Sequence, residues 1–372
     1  MTALRTLVAA ASACALLAGA AEAQKTSIIV GMQLEPPNLD PTATAAAATD
    51  EVLYANVFEG LARYTNDGEV VPALAKSWEI SEDGLVYTFH LQEGVTFHDG
   101  TPMTAEDVKF TLDRARGPES TNAKKPLFTN IADVEVVDDL TVKVTLSLPD
   151  GGFVRNMAKG DAVIVAPESE ELLPTAPVGT GPFRFSRWVQ GDRVELVENP
   201  DYWGEKPALT SATFKFISDP TAAFAAMMAG DIDAFPGYPA PETLIQFEAD
   251  PRFRLLIGST EGETILSTNN ADEVLSDIRV RQAIAHAIDR QEIIDGAMFG
   301  YGTPIGSHFP PHHPDYIDLT GNSAHNPGKA KELLAEAGYA EGLTLSLKLP
   351  PPSYARRGGE IIAAQLREVG IE

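Results

Sequence analysis

The alternation of apolar and polar residues predicts several β-strands. Between Thr141 and Leu148 every second residue is valine or leucine, and lysine, threonine and serine stand between them. Because successive side chains of a strand point to opposite faces, this pattern predicts a half-buried strand. Further strands are predicted at 27–33, 183–190, 193–199 and 343–349. Gly191-Asp192 links two of them and predicts a hairpin with a type II′ turn, which has glycine at its first central position.

Apolar residues at helical spacing, bounded by capping residues, predict helices between the strands. Thr104 with Asp107 three residues later resembles a capping box and predicts the start of a helix. Asp219-Pro220 predicts another start and Gly230 its end, since proline suits the first turn of a helix and glycine the residue after its last turn. Further helices are predicted to begin at Asp277, at Asp289 and at Asn326-Pro327, and the last of these to end at Gly338. Strands that alternate with helices predict a mixed α/β protein of two or more lobes.

Residues 1–23 have the features of a secretory signal peptide. Arg5 precedes the uncharged run 7–20, and Ala21-Glu22-Ala23 matches the small-residue pattern of a cleavage site. Cleavage is therefore predicted after Ala23, and the protein is predicted to be periplasmic. The one cysteine of the sequence, Cys14, lies within this segment. The mature chain is thus predicted to contain neither disulfides nor a thiolate metal site.

Composition excludes some classes of partner. The 372 residues include 28 Lys and Arg against 53 Asp and Glu, which gives a formal net charge of −25. Because so acidic a surface repels phosphate groups, neither nucleic acid nor an anionic membrane is predicted as a partner. The hydrophobic fraction of 44% is ordinary for a globular protein, and the length predicts two or three domains.

The sequence contains no G-x-S-x-G, H-E-x-x-H or Walker motif. Asp231 and Asp233 follow a helix-ending glycine, which favours a capped turn over the facing carboxylates of a glycosidase. His308, His312 and His313 are candidate ligands of nickel, copper or zinc, but the prolines among them favour an extended surface loop. We therefore predict no catalytic residue, no metal and no cofactor, and we favour a binding protein over an enzyme.

A series of short motifs resembles the peptide/nickel solute-binding proteins of ABC importers, family 5. Leu39-Asp40-Pro41 follows the first predicted strand, as at the opening of that family's sequences. Other matching stretches stand in the family's order, at 57–61, 72–75, 77–78, 87–91, 97–100, 104–108, 177–183, 199–203, 277–290 and 326–339. Their joint order is more specific than any single motif. One departure is Gln92, where the family usually has lysine or arginine.

The resemblance implies an α/β fold of the two-lobed periplasmic binding protein type (cluster C-like), with an extra subdomain in lobe 1 and the ligand enclosed between the lobes. It divides the chain into a signal peptide at 1–23, lobe 1 at 24–60 and 177–268, an inserted subdomain at 61–176, and lobe 2 at 269–372. Family members extend beyond the equivalent of Glu372, so lobe 2 is expected to be incomplete. Gly179 and Gly181 are expected to adopt backbone angles that other residues resist, and Tyr202 and Trp203 to pack in the core or between domains.

Two zones and one further residue are candidates for ligand contact. In relatives the loop after the first strand touches the ligand, and the small side chains at 42–47 would leave its backbone open to an extended peptide. The start of the last predicted helix combines free N–H groups with arginines, which favours a carboxylate. An alanine-rich loop and solvated basic residues are the alternative interpretations, and they stay open. The candidate ligand-binding residues are Thr44, Ala45, Asn269, Tyr354, Arg356 and Arg357.

The function implied by the resemblance is that of the periplasmic substrate-binding component of an ABC importer. Such a protein, expected to be a monomer, captures di- or oligopeptides, or related small solutes, and delivers them to permease subunits in the inner membrane. A nickel or metal-complex binding protein of the same family is the first alternative. Secreted glycan hydrolases and exported chaperone-like proteins are alternatives from other classes.

Overall fold

The computed structural model describes residues 25–260, 262–313 and 315–372, so the predicted signal peptide lies outside the described residues. Within that part of the chain, two compact units can be separated. The first comprises 25–216 and 230–236, and the second comprises 217–229 and 237–372. The boundaries given above for the lobes and for the inserted subdomain stay a prediction.

The first unit contains the strands of the described chain and its first three helices. The strands are β1 (Ser27–Met32), β2 (Ala62–Tyr64), β3 (Val70–Pro72), β4 (Ala75–Ile80), β5 (Val86–Leu91), β6 (Ile131–Asp138), β7 (Thr141–Leu146), β8 (Phe183–Val189), β9 (Arg193–Glu198) and β10 (Ser211–Phe216). The helices are α1 (Ala47–Leu53), α2 (Ala105–Arg116) and the short α3 (Phe153–Asn156).

These strands form two larger sheets and the small pair β2–β3. In one sheet the order is β1-β10-β9-β8, with β1 parallel to β10 and the other neighbours antiparallel. The other sheet has the order β4-β5-β7-β6, and all of its neighbours are antiparallel. Apolar residues of α1 share a hydrophobic core with the first sheet, and those of α2 share one with the second. The predicted strand at 141–148 is thus observed as β7, in the middle of the second sheet.

The start of α2 shows why this segment is helical. Asp107 Oδ2 accepts a hydrogen bond from the Thr104 backbone N–H (2.8 Å), and Thr104 Oγ1 accepts one from the Glu106 N–H (3.3 Å). These contacts satisfy N–H groups that the first turn of a helix leaves unpaired. Val108 and Leu112 then fall on one face and are fully buried against the second sheet. The predicted capping box is confirmed.

The second unit is helical. It contains α4 (Pro220–Ala229), α5 (Leu244–Glu248), α6 (Ile278–Ala287), α7 (Arg290–Met298), α8 (Pro327–Glu336) and α9 (Ser353–Glu368). The side chains of Asp277, Asp289 and Asn326 cap α6, α7 and α8 at their N-termini, which confirms the three predicted starts. Contacts of α6 with α8 and of α7 with α9 enclose a core that includes Val280 and Leu334.

Two local predictions are wrong. The β8–β9 turn is not type II′, because Val189 pairs with Arg193, the Asp192 N–H donates to Val189 O (3.0 Å), and Gly191 (φ +74°) is the second central residue. A positive φ at that position is typical of a type II turn. The predicted strand at 343–349 is reduced to a bridge between Leu343 and Ile371. Its period-2 pattern is present, but its backbone pairs only with residues 370–372.

Candidate ligand-binding residues

The base of the loop after β1 is held by a buried carboxylate. Asp40, 2% exposed, accepts hydrogen bonds at Oδ1 from the Thr42 N–H (2.9 Å) and the Thr42 hydroxyl (2.6 Å). Arg114 of α2 donates from Nη1 to Thr42 Oγ1 (2.8 Å) and from Nη2 to Asp40 Oδ2 (3.3 Å). The Ala123 N–H donates to Thr42 O (3.1 Å). Together, these bonds fix the loop that carries the first candidate residues.

The tip of this loop is more open. Thr44 is half-buried and its hydroxyl accepts a hydrogen bond from the Ala46 N–H (3.1 Å), while Ala45 is exposed. Two residues after Ala45, α1 begins at Ala47 without a side-chain cap. A small exposed side chain on a fixed loop leaves backbone groups accessible, as a ligand contact at Thr44 and Ala45 requires. That contact itself stays a prediction.

The second zone lies on the first turns of α9. Arg357 donates to both oxygens of Glu242, from Nη1 to Oε2 (3.0 Å) and from Nη2 to Oε1 (2.7 Å). The guanidinium also lies over the Phe299 ring, 5.4 Å from its centroid. Hydrogen bonds from Arg357 lower the pKa of Glu242 below its ordinary value. The guanidinium that the sequence assigns to a ligand carboxylate therefore holds a carboxylate of the protein.

The remaining candidates do not form one cluster in the structure. Tyr354 is half-buried and Arg356 exposed, both on the first turn of α9. Asn269 is exposed and occupies the start of a turn, where its Oδ1 accepts a hydrogen bond from the Ala271 N–H (3.1 Å). Thr44 and Ala45 belong to the first compact unit, whereas the other four candidates belong to the second.

A buried carboxylate that our sequence reasoning missed joins three of the motifs. Glu59, 8% exposed, accepts hydrogen bonds from Thr180 Oγ1 (2.9 Å), Tyr202 OH (2.8 Å) and Trp203 Nε1 (2.9 Å). Burial raises the pKa of Glu59 above its ordinary value, although all three bonds act in the opposite direction. Tyr202 and Trp203 therefore act as hydrogen-bond donors as well as packing residues. A glutamate inside the apolar run 57–61 was the available signal, because buried carboxylates require donors.

The His98 ring joins two of the motifs by contacting the backbone of Gly179 and Gly181. His98 Nε2 lies 3.0 Å from Gly181 O, and its Nδ1 accepts a hydrogen bond from the Gly179 N–H (3.3 Å), so the proton is assigned to Nε2. Burial lowers the pKa of His98 to about 4. A Cβ on Gly179 would lie 2.0 Å from Val57 O, and one on Gly181 would lie 2.3 Å from Asn56 O. Neither glycine has a positive φ, so these positions require glycine because another backbone approaches closely, not because of unusual angles as expected.

The family model described as bacterial extracellular solute-binding proteins, family 5 Middle, matches residues 69–372. The chain belongs to this family. This confirms the resemblance predicted from the motifs. The mixed α/β units and the structural comparisons below confirm the predicted fold class, that of the periplasmic binding proteins.

Curated relatives and solved structures agree with membership of the solute-binding family. The chain is 34% identical to the glutathione-binding protein GsiB of Pectobacterium atrosepticum over 376 aligned residues, which are 99% of this chain and 72% of that protein. It is 29% identical to the dipeptide-binding protein of Escherichia coli, covering 95% of this chain and 72% of that protein. The solved structure of the periplasmic binding protein AgaA of A. tumefaciens R10, in complex with agropinic acid, superposes with a TM-score of 0.83 at 32% identity, covering 93% of this chain and 71% of that one.

Within residues 25–260, 262–313 and 315–372, no group of three or more His, Cys, Asp or Glu side chains is arranged to hold a metal ion. His308 Nδ1 lies 3.5 Å from Glu263 Oε2, and the His313 ring stacks on Phe309 with ring centroids 4.4 Å apart. Among the same residues, no helix has the length and apolarity needed to cross a membrane.

Proposed function

We propose that this protein is the periplasmic substrate-binding component of an ABC importer, and that it binds small peptides or related small solutes and delivers them to permease subunits. The observation that carries the proposal is the family match over residues 69–372. It is supported by the relatives, which are named for binding glutathione and dipeptides, and by AgaA, whose structure contains agropinic acid. Each of these ligands carries a carboxylate.

The proposed protein works by binding alone and catalyses no reaction. Transport energy would come from the ATPase partners of the permease, and the binding protein would act as a monomer after removal of residues 1–23. We further propose that Thr44, Ala45, Asn269, Tyr354, Arg356 and Arg357 contact the ligand. The loop fixed by Asp40 and Arg114 supports the first two, since it holds a small exposed tip in place. The position of the arginines on the first turns of α9 supports a carboxylate contact.

The experiment is a thermal melt and calorimetric titration of the purified chain with glutathione and with a panel of dipeptides. A ligand at 100 times its dissociation constant adds about 2.7 kcal/mol to the free energy of unfolding, which raises the melting temperature measurably. We expect such a rise with at least one probe. A cooperative melt that no peptide shifts, together with a shift by nickel-histidine or by a glycan, would contradict the proposal and favour the corresponding alternative.

A further inference from the structure

Arg357 already binds a carboxylate in this structure. Both oxygens of Glu242 accept a hydrogen bond from its terminal nitrogens, at 2.7 and 3.0 Å. Two parallel bonds of this kind match the planar fork of the guanidinium and are the arrangement with which arginine recognises carboxylates in general. Glu242 therefore occupies the donors that a carboxylate-bearing ligand would use at Arg357.

A hydrogen bond close to this ion pair fixes the two segments that carry Glu242 and Arg357. Ser353, buried on the first turn of α9, donates from its hydroxyl to Pro239 O (2.9 Å) and so attaches the segment before Glu242 to the start of the helix. Arg357 follows Ser353 by four residues, so both side chains lie on the same face of α9. Glu242 itself lies in the single turn Pro241–Thr243. Hence the carboxylate reaches the guanidinium with its backbone already fixed.

The pair is also accessible enough to exchange. The Arg357 side chain is 32% exposed and that of Glu242 is 29% exposed. Ion pairs that water reaches shift an equilibrium only about five-fold or less, because water and salt compete for both partners. The contact of the guanidinium with the Phe299 ring, 5.4 Å from its centroid, does not depend on the carboxylate. Another carboxylate of the same geometry can therefore take the position of Glu242 at little cost.

We propose that Glu242 is a specificity-determining residue, an internal carboxylate that competes with the ligand's carboxylate for Arg357. The inference rests on the proposed function and deepens it by naming a carboxylate as the group recognised there. A ligand with a free carboxylate replaces Glu242 and regains both hydrogen bonds. A ligand whose carboxylate is blocked as an amide leaves the Glu242–Arg357 pair intact and gains nothing from the arginine.

A purely structural role for the same pair makes a different prediction. If Glu242 only fastens the segment 239–242 to α9, then removing its charge loosens the fold there. Binding of acid and amide ligands would then weaken together or stay unchanged. The sign and selectivity of the change in affinity separate the two roles.

The experiment compares the wild-type chain with Glu242→Gln, Arg357→Gln and the control Glu248→Gln, which removes an equal charge from an exposed position on α5. Each is titrated with glutathione, with the dipeptide Ala-Leu and with Ala-Leu amide. For the acids, we expect Glu242→Gln to bind about two- to five-fold more tightly than wild type. Amide binding should stay unchanged in Glu242→Gln, and Arg357→Gln should lose the preference for acid over amide.

Several outcomes overturn the inference. If wild type binds a probe but Glu242→Gln shows no acid-selective gain, Glu242 is not a competitor, while the proposed function stands. If Glu248→Gln produces the same gain, the effect belongs to net charge and the inference is equally wrong. If neither wild type nor Glu242→Gln binds any of the probes, the proposed function and the inference fail together.

Discussion

Replacing Glu59 tests how the first unit is held together. In Glu59→Ala, the three side-chain donors lose their acceptor. Thr180 is fully buried, whereas Tyr202 and Trp203 are half-buried and can recover part of their bonding from water. An unsatisfied buried donor costs about 1–3 kcal/mol, and the lost bonds were made to a carboxylate. We therefore expect Glu59→Ala to lower the free energy of unfolding by about 3–5 kcal/mol.

Glu59→Gln should cost far less, for a geometric reason. Two donors, Thr180 and Trp203, point at Oε2, and only the Tyr202 hydroxyl points at Oε1. A glutamine with its carbonyl at the Oε2 position keeps the first two bonds. Its amide can donate to the Tyr202 oxygen, since a hydroxyl also accepts. The charge-assisted part of these bonds is lost, but so is the desolvation penalty of the buried charge, so we expect a cost of at most about 1 kcal/mol at neutral pH.

The pH dependence of that difference has a defined sign. Burial raises the pKa of Glu59 in the folded protein above its ordinary value of 4.5. Between pH 4.5 and the higher pKa of the folded state, the folded protein therefore binds more protons than the unfolded chain. The contribution of protonated Glu59 to the free energy of unfolding is fully present below pH 4.5 and is lost as pH rises through the folded-state pKa. Glu59→Gln lacks this titration, so its cost relative to wild type should be smaller at pH 7.5 than at pH 5.

Urea unfolding followed by tryptophan fluorescence measures these values. The three tryptophans, Trp78, Trp188 and Trp203, all lie in the first unit, so the signal reports that unit. Glu82→Gln, at an exposed position, is the matched control. The reasoning is refuted if Glu59→Gln is as costly as Glu59→Ala, or if Glu59→Ala costs under about 1 kcal/mol.

Three further predictions concern other contacts of the first unit. Gly179→Ala should cost about 3 kcal/mol or more, because its Cβ would lie 2.0 Å from Val57 O; an unchanged urea midpoint would contradict this. His98 has its pKa lowered from 6.5 to about 4 by burial, so the stability it contributes should be lost as pH falls from 6.5 towards 4; a ring NMR signal that titrates near 6.5 would show that this is wrong. Arg114→Met should lower the free energy of unfolding in urea by about 3 kcal/mol, because buried Asp40 loses its cation. Arg114→Lys should recover part of that loss; if it recovers none, the ion pair contributes nothing to stability.

Much of the local structure, and the family, could be predicted from the sequence. The caps at Thr104, Asp277, Asp289 and Asn326 were predictable because each involves residues within three positions of one another. Strand β7 was predictable because its apolar and polar residues alternate, and the same alternation appears in its burial. The order of the motifs likewise required only the sequence. The candidate ligand residues also depended on what the resemblance to the family implies, and their contact with a ligand stays a prediction.

Only the tertiary structure decided which distant residues meet. Glu59 bonds to side chains 121 to 144 positions away, and Arg357 bonds to Glu242 across 115 positions. No local pattern encodes such a pairing, because any buried carboxylate needs donors and any arginine fits any carboxylate. The segment 343–349 shows the same limit, since alternation predicts a strand while the partner backbone decides whether one forms. Local hydrogen bonds and side-chain periodicity thus determined the elements, and contacts between distant segments determined what their polar groups do.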